Sequence, residues 1–163
     1  MSTLPSTILA AMMGDDRWLA WYAQAKMNAR LTERIADEME RRTGLPAAWC
    51  EVLANLKQEP RRMNELADDL ILSRGGATRL IARMEEAGLV ERQTPPHDRR
   101  ATFAVITQAG SEAVERAFPV HLEVVEEVFT RHIDESEAET VLRVAAKVCD
   151  AHGWPARTRA QTA

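Results

Sequence analysis

Apolar residues recur at three- and four-residue spacing in six stretches of this chain, and two short segments between the fourth and fifth read as strands instead. The first stretch carries Leu19, Ala23, Met27, Leu31, Ile35 and Met39, a single stripe about six turns long, which predicts a helix from Asp15 or Asp16 to Arg42. Gly44 stands just past its end, where a left-handed residue is wanted. Pro46 suits the first position of a second helix whose Trp49, Val52, Leu53 and Leu56 face inward. Glu59-Pro60-Arg61-Arg62 reads as a connection. Beyond it a short helix is expected from Met63 to about Leu70, with Met63, Leu66 and Leu70 turned to the core. Ser73 is a good N-cap for the next helix, in which Leu80, Ile81, Met84 and Ala87 form the buried stripe and Gly88 is the stop.

The two strand segments come next. Leu89 to Arg92 and Thr102 to Ile106 read as antiparallel strands, joined by Gln93-Thr94-Pro95-Pro96-His97-Asp98-Arg99-Arg100. The two prolines stiffen that loop and stop further ladder pairing. Thr107 can cap a helix from Gln108 to about His132 with Val114, Phe118, Leu122, Val125 and Phe129 on its apolar face. Pro119 should bend it or leave a carbonyl near Glu115 without a donor. Asp134-Glu135-Ser136-Glu137 has the spacing of a capping box. The final helix places Ala138, Val141, Leu142, Ala145, Val148 and Cys149 inward and ends at Gly153. Residues 1–14 and the last ten are expected to be loosely ordered.

Helix, tight turn and helix, followed at once by a stiff basic hairpin, is a geometry that lays the second helix into a DNA major groove and the hairpin tip against the backbone or minor groove. Charge first argues against this, because the whole chain carries −4. Its distribution reverses the argument. Ser73 to Thr107 holds six Lys/Arg against four Asp/Glu, whereas Gln108 to His152 holds four against ten. The acid lies outside the reading head, and the local field decides what a surface attracts.

The runs A-D-D-L-I-L-S-R-G-G-A-T-R-L-I-A-R-M-E-E-A-G-L-V-E-R and H-D-R-R-A-T-F-A-V-I-T-Q-A-G resemble the multiple antibiotic resistance regulator (MarR) family. The matching features are T-R-L early in the recognition helix, E-x-x-G-L-V at its exit, D-R-R at the wing and T-x-x-G at the next helix. The resemblance implies a mainly α, winged helix-turn-helix regulator, with a small β-wing and N- and C-terminal helices forming a dimerisation region. On that reading residues 1–163 are a single domain, 45–107 the DNA-binding core, and 15–43 with 108–152 the dimerisation helices. Trp18, Trp21 and Tyr22 are read mainly as packing or dimer contacts.

On the groove side this leaves Ser73, Arg74, Gly75, Thr78 and Arg79. Arg74 is the expected base reader, because a guanidinium matches guanine O6 and N7. Thr78 and Ser73 can bond phosphate or base, Arg79 serves backbone or base, and Arg83 is a phosphate or ion-pair residue. Gly75-Gly76 departs from the bulkier polar residues usual in the family, and either lets the backbone approach the duplex or deletes contacts. At the wing the resemblance assigns the minor-groove role to Arg100, oriented by Asp98, with Arg99 as the alternative.

The same resemblance implies a small-molecule or redox input. The first helix has no cysteine, so the oxidant-sensing pattern is absent, and Cys50 and Cys149 are expected to be inert buried thiols. Trp18, Trp21, Trp49 and Glu51 are the residues that could line a pocket for an aromatic effector, with core packing the plainer account of the tryptophans. His121, His132 and His152 lack a multidentate set of nearby acids, so neither metal nor cofactor is expected. No phosphate loop or nucleophile set points to an enzyme. Two cysteines without a disulfide framework fit a reducing cytoplasm. Ile8 to Met13 is too short for a signal or a membrane span. The expected function is a ligand-responsive repressor that binds a pseudo-palindromic operator in double-stranded DNA as a homodimer. The alternative is a winged-helix module for protein–protein contact, which the acidic C-terminal helices would suit.

Overall fold

The computed structural model describes residues 15–70, 72–94 and 101–154. Its elements are α1 (Asp16–Thr43), α2 (Ala47–Leu56), β1 (Arg61–Arg62), α3 (Met63–Asp69), α4 (Arg74–Glu86), β2 (Val90–Gln93), β3 (Phe103–Ile106), α5 (Gln108–Val128), a 3-10 turn (Thr130–His132) and α6 (Glu135–His152). This is a mainly helical winged-helix fold with a three-stranded antiparallel sheet in the order β1-β3-β2.

Local chemistry sets the element ends. The Asp15 carboxylate accepts from the backbone N–H of Arg17 at 2.9 Å, and α1 stops at Gly44 with φ +69. Ser73 Oγ accepts from the N–H of Gly76 at 3.0 Å and so opens α4. At the far end Gly88 has φ +72, and the N–H of Leu89 reaches back to the Met84 carbonyl at 2.9 Å. That is a Schellman-type stop, which hands the chain directly to β2. Asp134 and Glu137 form the reciprocal capping box of α6.

The core gathers Met39 of α1, Cys50, Val52, Leu53 and Leu56 of α2, Leu66 of α3, Leu80, Ile81 and Met84 of α4, Val90 and Ala104 of the sheet, and Val114 and Ala117 of α5. Trp49, Met63 and Leu70 pack against it half-buried. Ion pairs from Arg42 to Glu123 and from Lys57 to Glu115 tie α5 to the ends of α1 and α2.

Five expectations need correction. Arg61 and Arg62 are not a plain connection: they form β1 and pair with Ala104 and Phe103. Ala87 is exposed because it caps α4 at the exit, and the buried stripe instead takes in Ala77, a turn before Leu80 and Ile81. The buried line of α5 is Gly110, Val114, Ala117 and Val124, while Phe118 and Leu122 are 40% and 55% exposed. The helix has two apolar stripes, and periodicity cannot say which one meets its own core. In addition, α6 buries nothing within the chain: Val141, Leu142 and Val148 are each more than two-fifths exposed and Cys149 is only partly covered. The helix expected to 132 breaks after Val128 into the 3-10 turn, and α5 runs on past Pro119.

Two carboxylates on the ion-paired surface have pKa values held below the ordinary range. For Glu38 the main cause is the hydrogen bond from Arg41, and for Glu115 it is the hydrogen bond from Lys57. A depressed folded pKa adds stability above the unfolded value, and that stability is lost as pH falls through the folded value. Thermal melts from neutral to acid pH should therefore fall less steeply for Glu38→Gln than for wild type. Parallel curves would remove Glu38 from the acid response.

Candidate nucleic-acid interface

On α4, Ala77, Leu80, Ile81 and Met84 point into the core, and this phase leaves Ser73, Arg74, Gly75, Thr78, Arg79 and Arg83 exposed. The exposed half of the helix thus carries three guanidinium groups and a hydroxyl, with Arg74 and Thr78 toward one flank and Arg79 and Arg83 toward the other. The Thr78 hydroxyl donates to the Arg74 carbonyl at 2.8 Å, back-bonding that fixes its rotamer. Ser73 Oγ is held as the cap acceptor and keeps its own proton to donate outward.

Gly75 leaves an open position in this face. A Cβ there would meet only Arg79 Nη1 at 3.6 Å, so the Arg79 side chain lies back over the bare first turn. Gly76 is more closely held, with Ser73 Oγ 3.2 Å from where its Cβ would be.

Two surface hollows border the exposed face. One, of about 470 Å³, is lined by Arg62, Met63, Asn64, Arg74, Thr78, Ala101 and Thr102, where α3, the start of α4 and the base of the wing meet. Its polar lining and two cationic walls suit a phosphate group. The other, on the opposite flank of α4, is lined mainly by apolar atoms of Ala48, Leu72, Leu80 and Ala82, with Arg79 and Arg83 at its edge.

The wing begins in β2 and returns in β3, with Val90 paired to Ile106 and Gln93 to Phe103. Asp98, Arg99 and Arg100, expected at its tip, lie outside the described residues, as do Pro95, Pro96 and His97. At the wing base the Arg62 guanidinium stacks over Phe103 at 5.3 Å. One residue that sequence reasoning passed over is Arg92, which joins β2 to α4 through Glu85 and the Thr78 carbonyl. No local rule pairs residues seven apart across a helix end and a turn.

The residues expected to line an effector pocket do not share either hollow. Trp18 and Trp21 are 54% and 60% exposed, edge to face at 6.3 Å, Glu51 is exposed, and Trp49 rests half-buried on the core. Cys50 is buried, and burial followed by the nearby Glu51 charge pushes its thiol pKa up, which disfavours the reactive thiolate. Among the described residues no three His, Cys, Asp or Glu side chains come together as a metal site. No described helix is long and apolar enough to cross a membrane.

Comparison with known proteins gives this geometry a context. The sequence profile of the MarR family matches residues 43–101, from the end of α1 to just before β3. An HTH-type transcriptional regulator of Bacillus cereus is 26% identical over 118 residues, 72% of this chain and 78% of the relative. The crystal structure of AbsC, a MarR family transcriptional regulator from Streptomyces coelicolor, superposes with a TM-score of 0.78 at 25% identity, covering 93% of this chain and 97% of that one. A second MarR family regulator from the same organism, solved in complex with DNA, shares the fold with a TM-score of 0.76 at 24% identity, over 82% of this chain and 88% of its own.

Proposed function

Because this chain belongs to the MarR family of winged-helix transcriptional regulators, we propose that it binds a pseudo-palindromic operator as a homodimer and represses transcription until a small aromatic effector releases it. One observation carries the DNA-binding part. Packing of one side of α4 against the core leaves Arg74, Thr78, Arg79 and Arg83 exposed on its outer half, with Arg74 and Thr78 on the flank beside the wing base. Arg74, in the first turn, is the base reader, since helices of this type present their N-terminal residues to base edges. Arg79 and Arg83 neutralise phosphates. Asp98, Arg99 and Arg100 supply the wing contact, with Arg100 in the minor groove. Two such heads read half-sites about one helical turn apart, ~10–10.5 bp centre to centre.

Trp18, Trp21, Trp49 and Glu51 are the residues assigned to the effector. Trp18 and Trp21 lie on the first turns of α1, so a pocket built from them takes shape where another chain covers that exposed end.

The test is binding to the promoter beside the protein's own gene, titrated with salt. Wild type should show log K falling linearly with log salt. Arg79→Ala should weaken binding to every sequence and reduce the slope by about one, the signature of one lost phosphate contact. A wild-type protein without a salt slope, or an Arg79→Ala variant with the wild-type slope, would refute the respective assignment.

A further inference from the structure

Arg92 spans the gap between the wing and the recognition helix. It lies mid-strand in β2, opposite the fully buried Ala104. Its backbone N–H donates to Glu85 Oε1 at 3.2 Å, and its Nε lies 3.6 Å from Glu85 Oε2. Its Nη2 donates to the Thr78 carbonyl at 3.0 Å. Thr78 and Glu85 are seven residues apart on α4, about 10.5 Å along its axis. One strand residue therefore grips the helix at two points about two turns apart.

The outer point has functional weight. Thr78 stands on the exposed cationic face, and its hydroxyl already holds the Arg74 carbonyl. Its own carbonyl is where Arg92 attaches. The wing needs such a hold, because β2 and β3 pair over only four residues each and β1 adds only two more on the far side of β3, a short ladder that does little by itself to fix the wing's angle to α4. Without a tie to α4 it can pivot about its base, and residues 95–100 follow Arg92 by only a few positions.

We propose that Arg92 and Glu85 are a positioning pair that fixes the spacing and angle between the wing and α4, so that both reach the same duplex together. The inference rests on the DNA-binding reading above. Arg92 is a positioning residue, with its guanidinium directed to the helix backbone and to Glu85. The pair sets the register between a major-groove contact and a flanking one, and sites of this kind tolerate errors of only about 0.5 Å or 10–20°.

Two variants separate this role from simple charge and from simple stability. Arg92→Lys keeps the positive charge but has no planar fork to grip both points. Glu85→Ala removes a negative charge beside the DNA face. If only charge mattered, the first would leave operator affinity unchanged and the second would raise it. The positioning role predicts that both weaken binding, by roughly tenfold, with melting temperatures within a few degrees of wild type. Hydroxyl-radical footprints should keep the central protection and lose the flanking one. Unchanged affinity for Arg92→Lys, tighter binding for Glu85→Ala, or losses that only track the unfolded fraction would overturn the proposal. A wild type that binds DNA while both variants match it sinks this inference alone. A wild type that fails to bind sinks the reading beneath it as well.

Discussion

Gly110→Ala should lower the stability of the protein by at least about 3 kcal/mol, the upper range for forcing extra volume into a packed site. A Cβ on Gly110 would stand 2.1 Å from the Leu89 carbonyl oxygen and 2.9 Å from Ile106 Cγ1. The first neighbour is backbone and is already engaged, since the same carbonyl accepts from the N–H of Thr107 at 3.1 Å. Thr107 locks the corner further. Its hydroxyl donates to the Gly88 carbonyl at 2.7 Å and accepts from the N–H of Gly110 at 3.1 Å. The exit of α4, the end of β3 and the first turn of α5 therefore meet around one missing methyl group. Relief requires α5 to move away from the winged-helix core that it anchors through Val114 and Ala117.

For a chain of this size the loss corresponds to a melting temperature lower by roughly 6–12 °C. Gly75→Ala provides the contrast. Its new methyl meets only a guanidinium end at 3.6 Å, and alanine in a helix is favoured over glycine by up to about 1 kcal/mol. The two substitutions should move the melting temperature in opposite directions. A Gly110→Ala protein that melts with wild type would show that the corner opens freely, and the close-packing account would fail.

That corner also shows how far the sequence could be read. T-Q-A-G after the second strand was recognisable as a helix start, with Thr107 as its cap, because a hydroxyl three residues before a free N–H is a local signal. The reason for glycine at the fourth position was not local, since it lies in a carbonyl from residue 89. The same division runs through the fold. Caps at Asp15, Ser73 and Asp134 and stops at Gly44, Gly88 and Gly153 were legible because each depends on a few adjacent residues. Strand β1 was not, since two arginines after a proline have no strand signature. They pair only because β3 offers an open edge.

The candidate site divides along the same line. Leu80, Ile81 and Met84 fixed the phase of α4, and so Arg74, Thr78, Arg79 and Arg83 on its other side could be named in advance. Arg92 could not, because its partners depend on the angle at which β2 leaves Gly88. The aromatic residues misled for a related reason. Trp18, Trp21 and Trp49 look alike in sequence, but Trp49 is shielded by the core while the other two stand exposed on α1.

Charging the apolar side of α6 should abolish tight operator binding without touching a DNA contact. Helix α6 is an 18-residue helix with a capping box at one end and a left-handed glycine at the other, yet none of its residues is buried. Isolated helices of this length are marginal in water, so its order calls for a partner surface. Val141, Leu142, Val144 and Val148 are all exposed on it, and 141, 144 and 148 follow helical spacing along one side. Leu19 and Met27 of α1 and Phe118 and Leu122 of α5 are exposed as well. Apolar exposure shared by three long helices, all outside the winged core, marks an association surface, and a second copy of the chain is the occupant that a two-headed regulator requires.

With Val141→Asp and Val148→Asp together, each new carboxylate would have to be buried unpaired in that interface, a penalty of several kcal/mol. Sedimentation should then report a monomer at concentrations where wild type is a dimer. One head would bind without the second, losing the gain from linking two sites, roughly 10²- to 10⁴-fold in affinity. Binding to a single half-site, and its salt dependence, should stay close to wild type because Arg74, Arg79 and Arg83 are untouched. A double variant that still sediments as a dimer would place the interface elsewhere. A monomer that holds the full operator as tightly as wild type would mean that the two heads do not act together.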